Sequence, residues 1–107
     1  MIKVTFADSG EKLSLWVKGH AGYAEIGKDI VCASCSILAN TVAQFVLEAG
    51  DKGDVESSQV RLDVGDAVIT CRPKDDFYLD IRQVYLFAKK GFELLEHTYP
   101  QYVRLMP

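Results

Sequence analysis

Apolar and polar residues alternate from Ile2 to Ala7 and again from Leu13 to Val17, with Leu13, Leu15 and Val17 on one face and Ser9-Gly10 between the two runs. A period of two interrupted by a turn signal predicts a β-hairpin. The next stretch, Gly19 to Lys28, holds three glycines and no usable period, which predicts a mobile loop. From Asp29 to about Ala49 the pattern changes. Val31, Cys35, Leu38, Val42, Phe45 and Ala49 recur at steps of four and three without Gly or Pro between them. That spacing predicts a helix, with Gly50 as its stop.

Alternation returns in Val60, Leu62 and Val64, then after Gly65-Asp66 in Val68 and Thr70 on one face and Ala67, Ile69 and Cys71 on the other. This predicts a second hairpin. Asp75-Asp76 can cap a second helix, whose stripe Phe77, Ile81, Val84, Ala88, Phe92, Leu95 runs until Tyr99-Pro100. Gly91 weakens that helix without breaking it. The tail Tyr102 to Leu105 is a short strand candidate. The predicted order is ββαββα(β), an α+β fold in which a largely antiparallel sheet carries two helices on one face, as a single domain over residues 1–107.

Composition narrows the function classes. The 107 residues carry 12 Lys plus Arg against 15 Asp plus Glu, a net charge of -3. No direct nucleic-acid binding is expected, because a phosphate backbone needs clustered cations to displace its counterions. No run of about 18 apolar residues is free of polar breaks, and the first residues alternate instead of forming a charged-then-apolar leader. Neither a membrane span nor secretion is expected. Three cysteines, two of them three positions apart, make a poor disulfide framework and point to a reducing cytoplasm.

The chemistry concentrates between Gly19 and Ser36. With Asp29 as N-cap, Cys32 falls at N3 in the first helical turn, where free N–H groups and the helix dipole favour a thiolate. A nucleophilic cysteine also needs a proton acceptor that later protonates the leaving group. His20, twelve residues upstream on the glycine-rich loop, can be that group if the loop folds back. The plain alternative is a packed thiol and an exposed histidine. Ser36, one turn after Cys32, can donate toward the thiol or bond back to the Cys32 carbonyl. Cys35 sits on the core stripe. Cys32-Ala-Ser-Cys35 also spells C-x-x-C, but no strand leads directly into it as a thioredoxin-like site requires. Zinc on Cys32, Cys35, Cys71 and His20 or His97 lacks a second close ligand pair, so no metal and no cofactor are expected. His97 suits the C-terminus of the second helix and Cys71 suits packing. No G-x-S-x-G, Walker or H-E-x-x-H pattern occurs.

Gly19-His20-Ala21, a short glycine-containing loop, then Asp29-Ile30-Val31-Cys32-Ala33 with Ser36 one turn on, closely resembles the Prp family of ribosomal-processing cysteine proteases. The length and the ββαββα order fit that family as well. The resemblance implies a bacterial cytoplasmic endopeptidase, a homodimer, that removes a short N-terminal extension from a large-subunit ribosomal protein precursor. It aligns Cys32 with the nucleophile, His20 with the general base, Asp29 and Ser36 with supporting polar positions, and Gly19 with the glycine before the histidine. Cys35 departs from the family pattern, which has a small apolar residue there.

In the mechanism this implies, the Cys32 thiolate attacks the scissile carbonyl, His20 protonates the departing amine, and water hydrolyses the acyl-enzyme. Backbone N–H groups at the helix start are the expected oxyanion donors. Asp29 either caps Val31 N–H or orients His20. The loop, with Gly22, Tyr23 and Gly27, is expected to contact substrate and close on it. Two competing classes stay open on the residues alone: a non-catalytic ribosome-assembly binding module, and a C-x-x-C redox protein.

Overall fold

The computed structural model describes residues 1–25 and 27–107. The first alternating pair forms β1 (Ile2–Asp8) and β2 (Leu13–Lys18), antiparallel, with Val4 opposite Val17 and Phe6 opposite Leu15. The second forms β3 (Val55–Asp63) and β4 (Asp66–Pro73), with Val60 opposite Ile69. β4 then pairs with β2, placing Ile69 beside Leu15 and Cys71 beside Leu13. The tail forms β5 (Val103–Leu105), parallel to β1. The five strands run in the order β3-β4-β2-β1-β5, antiparallel except at that last pairing.

Cross-strand partners share a face, so this register puts Ile2, Val4, Leu13, Leu15, Ile69 and Cys71 on one side of the sheet. Helices α1 (Ile30–Lys52) and α2 (Tyr78–Thr98) bury their stripes in that same cluster. Each fully buried Leu, Ile or Phe there stabilises the fold by about 1.5–3 kcal/mol relative to exposure. The predicted α+β layering with both helices on one face is therefore what forms. By length and composition α1 is apolar enough to cross a membrane, which the polar breaks in the sequence had argued against. Its buried residues Val31, Cys35, Val42 and Val46 pack into the core.

Four local expectations need correction. Gly50 does not stop α1: the helix runs to Lys52, and Gly53 takes the left-handed conformation (φ 80°) that satisfies the Ala49 and Gly50 carbonyls. β3 begins at Val55, five residues before the apolar alternation, because Ser57, Ser58 and Gln59 pair with β4 through backbone bonds that need no apolar side chains. Val64 belongs to the turn and is 90% exposed. Asp75 and Asp76 do not cap α2; they form a 3-10 turn through Phe77, which is itself exposed, and among the described residues no side chain caps the helix start. Tyr78 and Arg82 instead anchor that end of α2 on Asp8 of β1, Arg82 Nε donating at 2.6 Å. The Gly10 N–H and Arg82 hold the Asp8 carboxyl below its ordinary value against some desolvation.

The stripe also omitted Tyr85, whose ring fills the core while its hydroxyl donates to the Ile69 carbonyl at 3.1 Å. Gly91 has a packing reason: a Cβ there would lie 2.8 Å from the Leu38 methyls, so the glycine lets the two helices approach.

Candidate functional site

Helix α1 starts where it does because Asp29 caps it. Its backbone is extended (φ -86°, ψ 101°), and Oδ1 accepts from the N–H groups of Val31 at 3.0 Å and Cys32 at 2.9 Å. Oδ2 accepts from Tyr23 at 3.0 Å and Ala24 at 3.2 Å. One carboxylate thus joins the helix to the glycine-rich loop. Burial opposes its ionisation, but the bonds from Cys32, Ala24 and Tyr23 outweigh that and hold Asp29 below the ordinary carboxylate range. Of the two roles open to it, Asp29 takes the cap, and no hydrogen bond joins it to His20 among the described residues.

The same bonds overturn the expectation of oxyanion donors at the helix start. The Val31 and Cys32 N–H groups are taken by Asp29 Oδ1, and the Ala33 N–H bonds the Asp29 carbonyl at 3.0 Å. A different donor reaches the sulfur: the Ala21 N–H, at 3.4 Å from Cys32 Sγ.

Three contacts set the backbone on either side of His20. The Gly19 N–H donates to the Gly65 carbonyl at 2.9 Å, and the Met1 nitrogen donates to the His20 carbonyl at 2.6 Å. Gly19 has φ +102°, and a Cβ on it would lie 2.3 Å from the Met1 carbonyl oxygen, so only glycine fits. The third contact is the Ala21 bond to Cys32. His20 and Cys32 line one cavity of about 270 Å³, walled also by Gly19, Ser36, Leu62 and Gly65. Ser36 is exposed and makes no side-chain hydrogen bond among the described residues, so neither of its two expected bonds is present.

Cys35 is buried in the core cluster, and burial, with Cys32 and Asp29 nearby, pushes its thiol up to about 12. It stays protonated at neutral pH, whereas Cys32 is half-buried at the cavity. The C-x-x-C is thereby split into two different environments. Burial also raises the Cys71 thiol, whose sulfur lies 3.6 Å from the Tyr85 hydroxyl oxygen. His97 is exposed in the last turn of α2, as its sequence position foretold.

The 19–28 segment is irregular in its described part; Ile26 lies outside the described residues. Gly22, Tyr23 and Gly27 do not wall the cavity. Tyr23 instead sets its ring edge-on to Tyr99 and Tyr102, with centroids at 5.6 and 5.3 Å. Sequence reasoning missed Ala21 and the β3–β4 tip from Leu62 to Asp66, which forms one wall. The alternation flagged that tip only as a turn, since its approach to His20 crosses more than forty positions of chain.

Among solved structures, the essential ribosomal processing protease Prp from S. aureus with a covalently linked product peptide superposes with a TM-score of 0.73 at 21% identity, covering 98% of this chain and 97% of that one. The same protease with a substrate peptide gives 0.67 at 21% identity over 99% and 98%. SMU.848 from Streptococcus mutans gives 0.67 at 25% identity, over 98% of this chain and 91% of that chain. No functionally curated protein matches the sequence. The sequence pattern of the cysteine protease Prp family matches residues 1–104, and with a thiol and an imidazole on one cavity of the matching fold, this chain belongs to the cysteine protease Prp family.

Proposed function

We propose that this cysteine protease removes the N-terminal extension of a large-subunit ribosomal protein precursor, with Cys32 as nucleophile and His20 as general base. The observation that carries the assignment is the shared cavity, in which the residue following His20 is hydrogen-bonded to Cys32 Sγ at 3.4 Å. The precursor as substrate is supported by family membership and by the ribosomal processing role named for the S. aureus structures.

His20 takes the Cys32 proton, and the sulfur attacks the scissile carbonyl carbon. The C–N bond breaks as His20 returns that proton to the amine; water then attacks the thioester, giving a proton to His20, and the thiol leaves reprotonated. The oxyanion is bonded to the carbon that Sγ attacks, so the Ala21 N–H, already within reach of the sulfur, is the donor placed to hold it. Asp29 ties the helix start to the loop segment that follows that donor.

We place the enzyme in the cytoplasm, supported by its three free cysteines, and assign it a homodimeric state, supported by Phe87 and Leu94, which are 80% and 69% exposed on α2. The test is incubation of the purified protein with the extended precursor, followed by intact mass. Loss of one N-terminal fragment is expected from wild type and from neither Cys32→Ala nor His20→Ala. Cleavage by a folded Cys32→Ala protein would remove the nucleophile assignment.

A further inference from the structure

We propose that Gly65, at the tip of the β3–β4 hairpin, is a positioning residue for His20. The proposal rests on the reading of His20 as the general base. A Cβ built on Gly65 would lie 2.7 Å from His20 Nε2, 2.9 Å from Cε1 and 3.4 Å from Cδ2. The imidazole edge therefore lies against the bare face of Gly65, and a side chain there would push the ring from its present place. The turn and the histidine are also tied through the backbone. β2 and β4 pair as far as Lys18 opposite Asp66, and the Gly19 N–H to Gly65 carbonyl bond at 2.9 Å continues that pairing to the residue before His20. The side chain of His20 is exposed to solvent, and no side-chain hydrogen bond holds its ring among the described residues. Seating on Gly65 restricts the ring from one side, while the Ala21 N–H bond to Cys32 holds the chain on the other.

Gly65 also has φ +74°, so any substitution strains the turn. Gly10, at the β1–β2 tip, separates the two effects: its φ is +87°, and a Cβ there meets nothing within 4 Å. The experiment compares Gly65→Ala, Gly65→Asn, Gly10→Ala and His20→Ala in cleavage of the extended precursor. Asn tolerates left-handed backbone better than Ala but carries the same Cβ. Both Gly65 variants are expected to lose kcat by about 100-fold, the size of effect that an ångström-scale misplacement produces, with KM changed little. Both should also lose the His20-dependent limb of the kcat/KM pH profile seen in wild type. Gly10→Ala should keep wild-type kcat, KM and pH profile.

Wild-type cleavage by both Gly65 variants, with His20→Ala inactive, would overturn the positioning role while leaving the His20 assignment intact. An equal kcat loss in Gly10→Ala would overturn it too, by showing that backbone strain alone suffices. Wild-type cleavage by His20→Ala would overturn both readings at once.

Discussion

The Ala21 N–H donates to Cys32 Sγ at 3.4 Å, joining residues eleven positions apart. That bond fixes the peptide between His20 and Ala21, whose carbonyl side accepts from Met1 at 2.6 Å. With the Gly19 bond to Gly65 on the other side, backbone contacts thus set the placement of His20 relative to Cys32, and substitutions that disturb this backbone should act on cleavage before they act on global stability.

Gly19 gives the sharpest case. Gly19→Ala forces a Cβ to within 2.3 Å of the Met1 carbonyl oxygen at φ +102°. The backbone strain alone costs about 1–3 kcal/mol, and the clash must be relieved by moving β1 or the His20 segment. Urea denaturation should show at least that loss, and cleavage at a temperature where the variant stays folded should fall strongly. Normal stability with normal cleavage would show that the N-terminal segment adapts freely.

Asp29 contributes a pH-dependent stability whose sign follows from its carboxyl being held low. A group with a depressed folded pKa stabilises the fold above its unfolded pKa and loses that contribution as pH falls through the folded value. Wild type should exceed Asp29→Ala by about 0.5–2 kcal/mol at neutral pH, the usual worth of a helix cap. The gap should narrow as pH drops below the ordinary carboxylate range, where Asp29 gains a proton. Chemical denaturation of both proteins across acidic pH reads the difference directly; a gap independent of pH would contradict the assigned charge.

Much of the fold was legible because alternation and helical spacing report which side of an element is buried. The hairpins, both helices and the short last strand all follow from that. Features that depend on backbone conformation or remote partners were not legible: Gly53 ends α1 because its φ is positive, and α2 begins on Asp8, some seventy positions away. At the site, the residue types of His20, Asp29 and Cys32 could be read from one short segment. The Gly65 seat and the occupation of the helix-start donors depend on where loops close.

Cys35 should be dispensable for cleavage. Its thiol is buried and held protonated, and the proposed chemistry uses one sulfur. Cys35→Ala should keep most activity at a stability cost of about 1 kcal/mol, typical for a small core truncation. In the native protein a thiol reagent should modify Cys32 first and reach all three cysteines only after denaturation. An inactive but folded Cys35→Ala protein, or a Cys32–Cys35 disulfide stable to glutathione, would favour redox chemistry.

Tyr23 should matter for substrate affinity more than for turnover. Its ring meets Tyr99 and Tyr102 edge-on, contacts worth about 0.5–1.5 kcal/mol each beyond buried area. These pairs anchor the loop to the end of α2 and to the approach to β5, away from the cavity walls. Tyr23→Ala should release that anchor, raising KM for the precursor with a smaller change in kcat. A kcat loss with unchanged KM would place Tyr23 in the chemical step instead.

His20→Ala should uncouple cleavage from thiol reactivity. The Ala21 N–H that reaches Cys32 Sγ is a backbone donor and survives removal of the imidazole, as do the Asp29 bonds that hold the helix start. Iodoacetamide should therefore still alkylate Cys32, slowed by less than about tenfold, because the thiol keeps its polar surroundings. Cleavage has a second requirement: the departing amine needs a proton, and among the described residues no other side chain on the cavity wall is as good a donor near neutral pH. Loss of that general acid should reduce turnover by about 100- to 10,000-fold. Paired pH profiles of alkylation and precursor cleavage, for wild type and variant, measure both effects. If the two rates fell in parallel, His20 would act only by activating the sulfur, and the proton for the leaving group would have to come from water in the cavity.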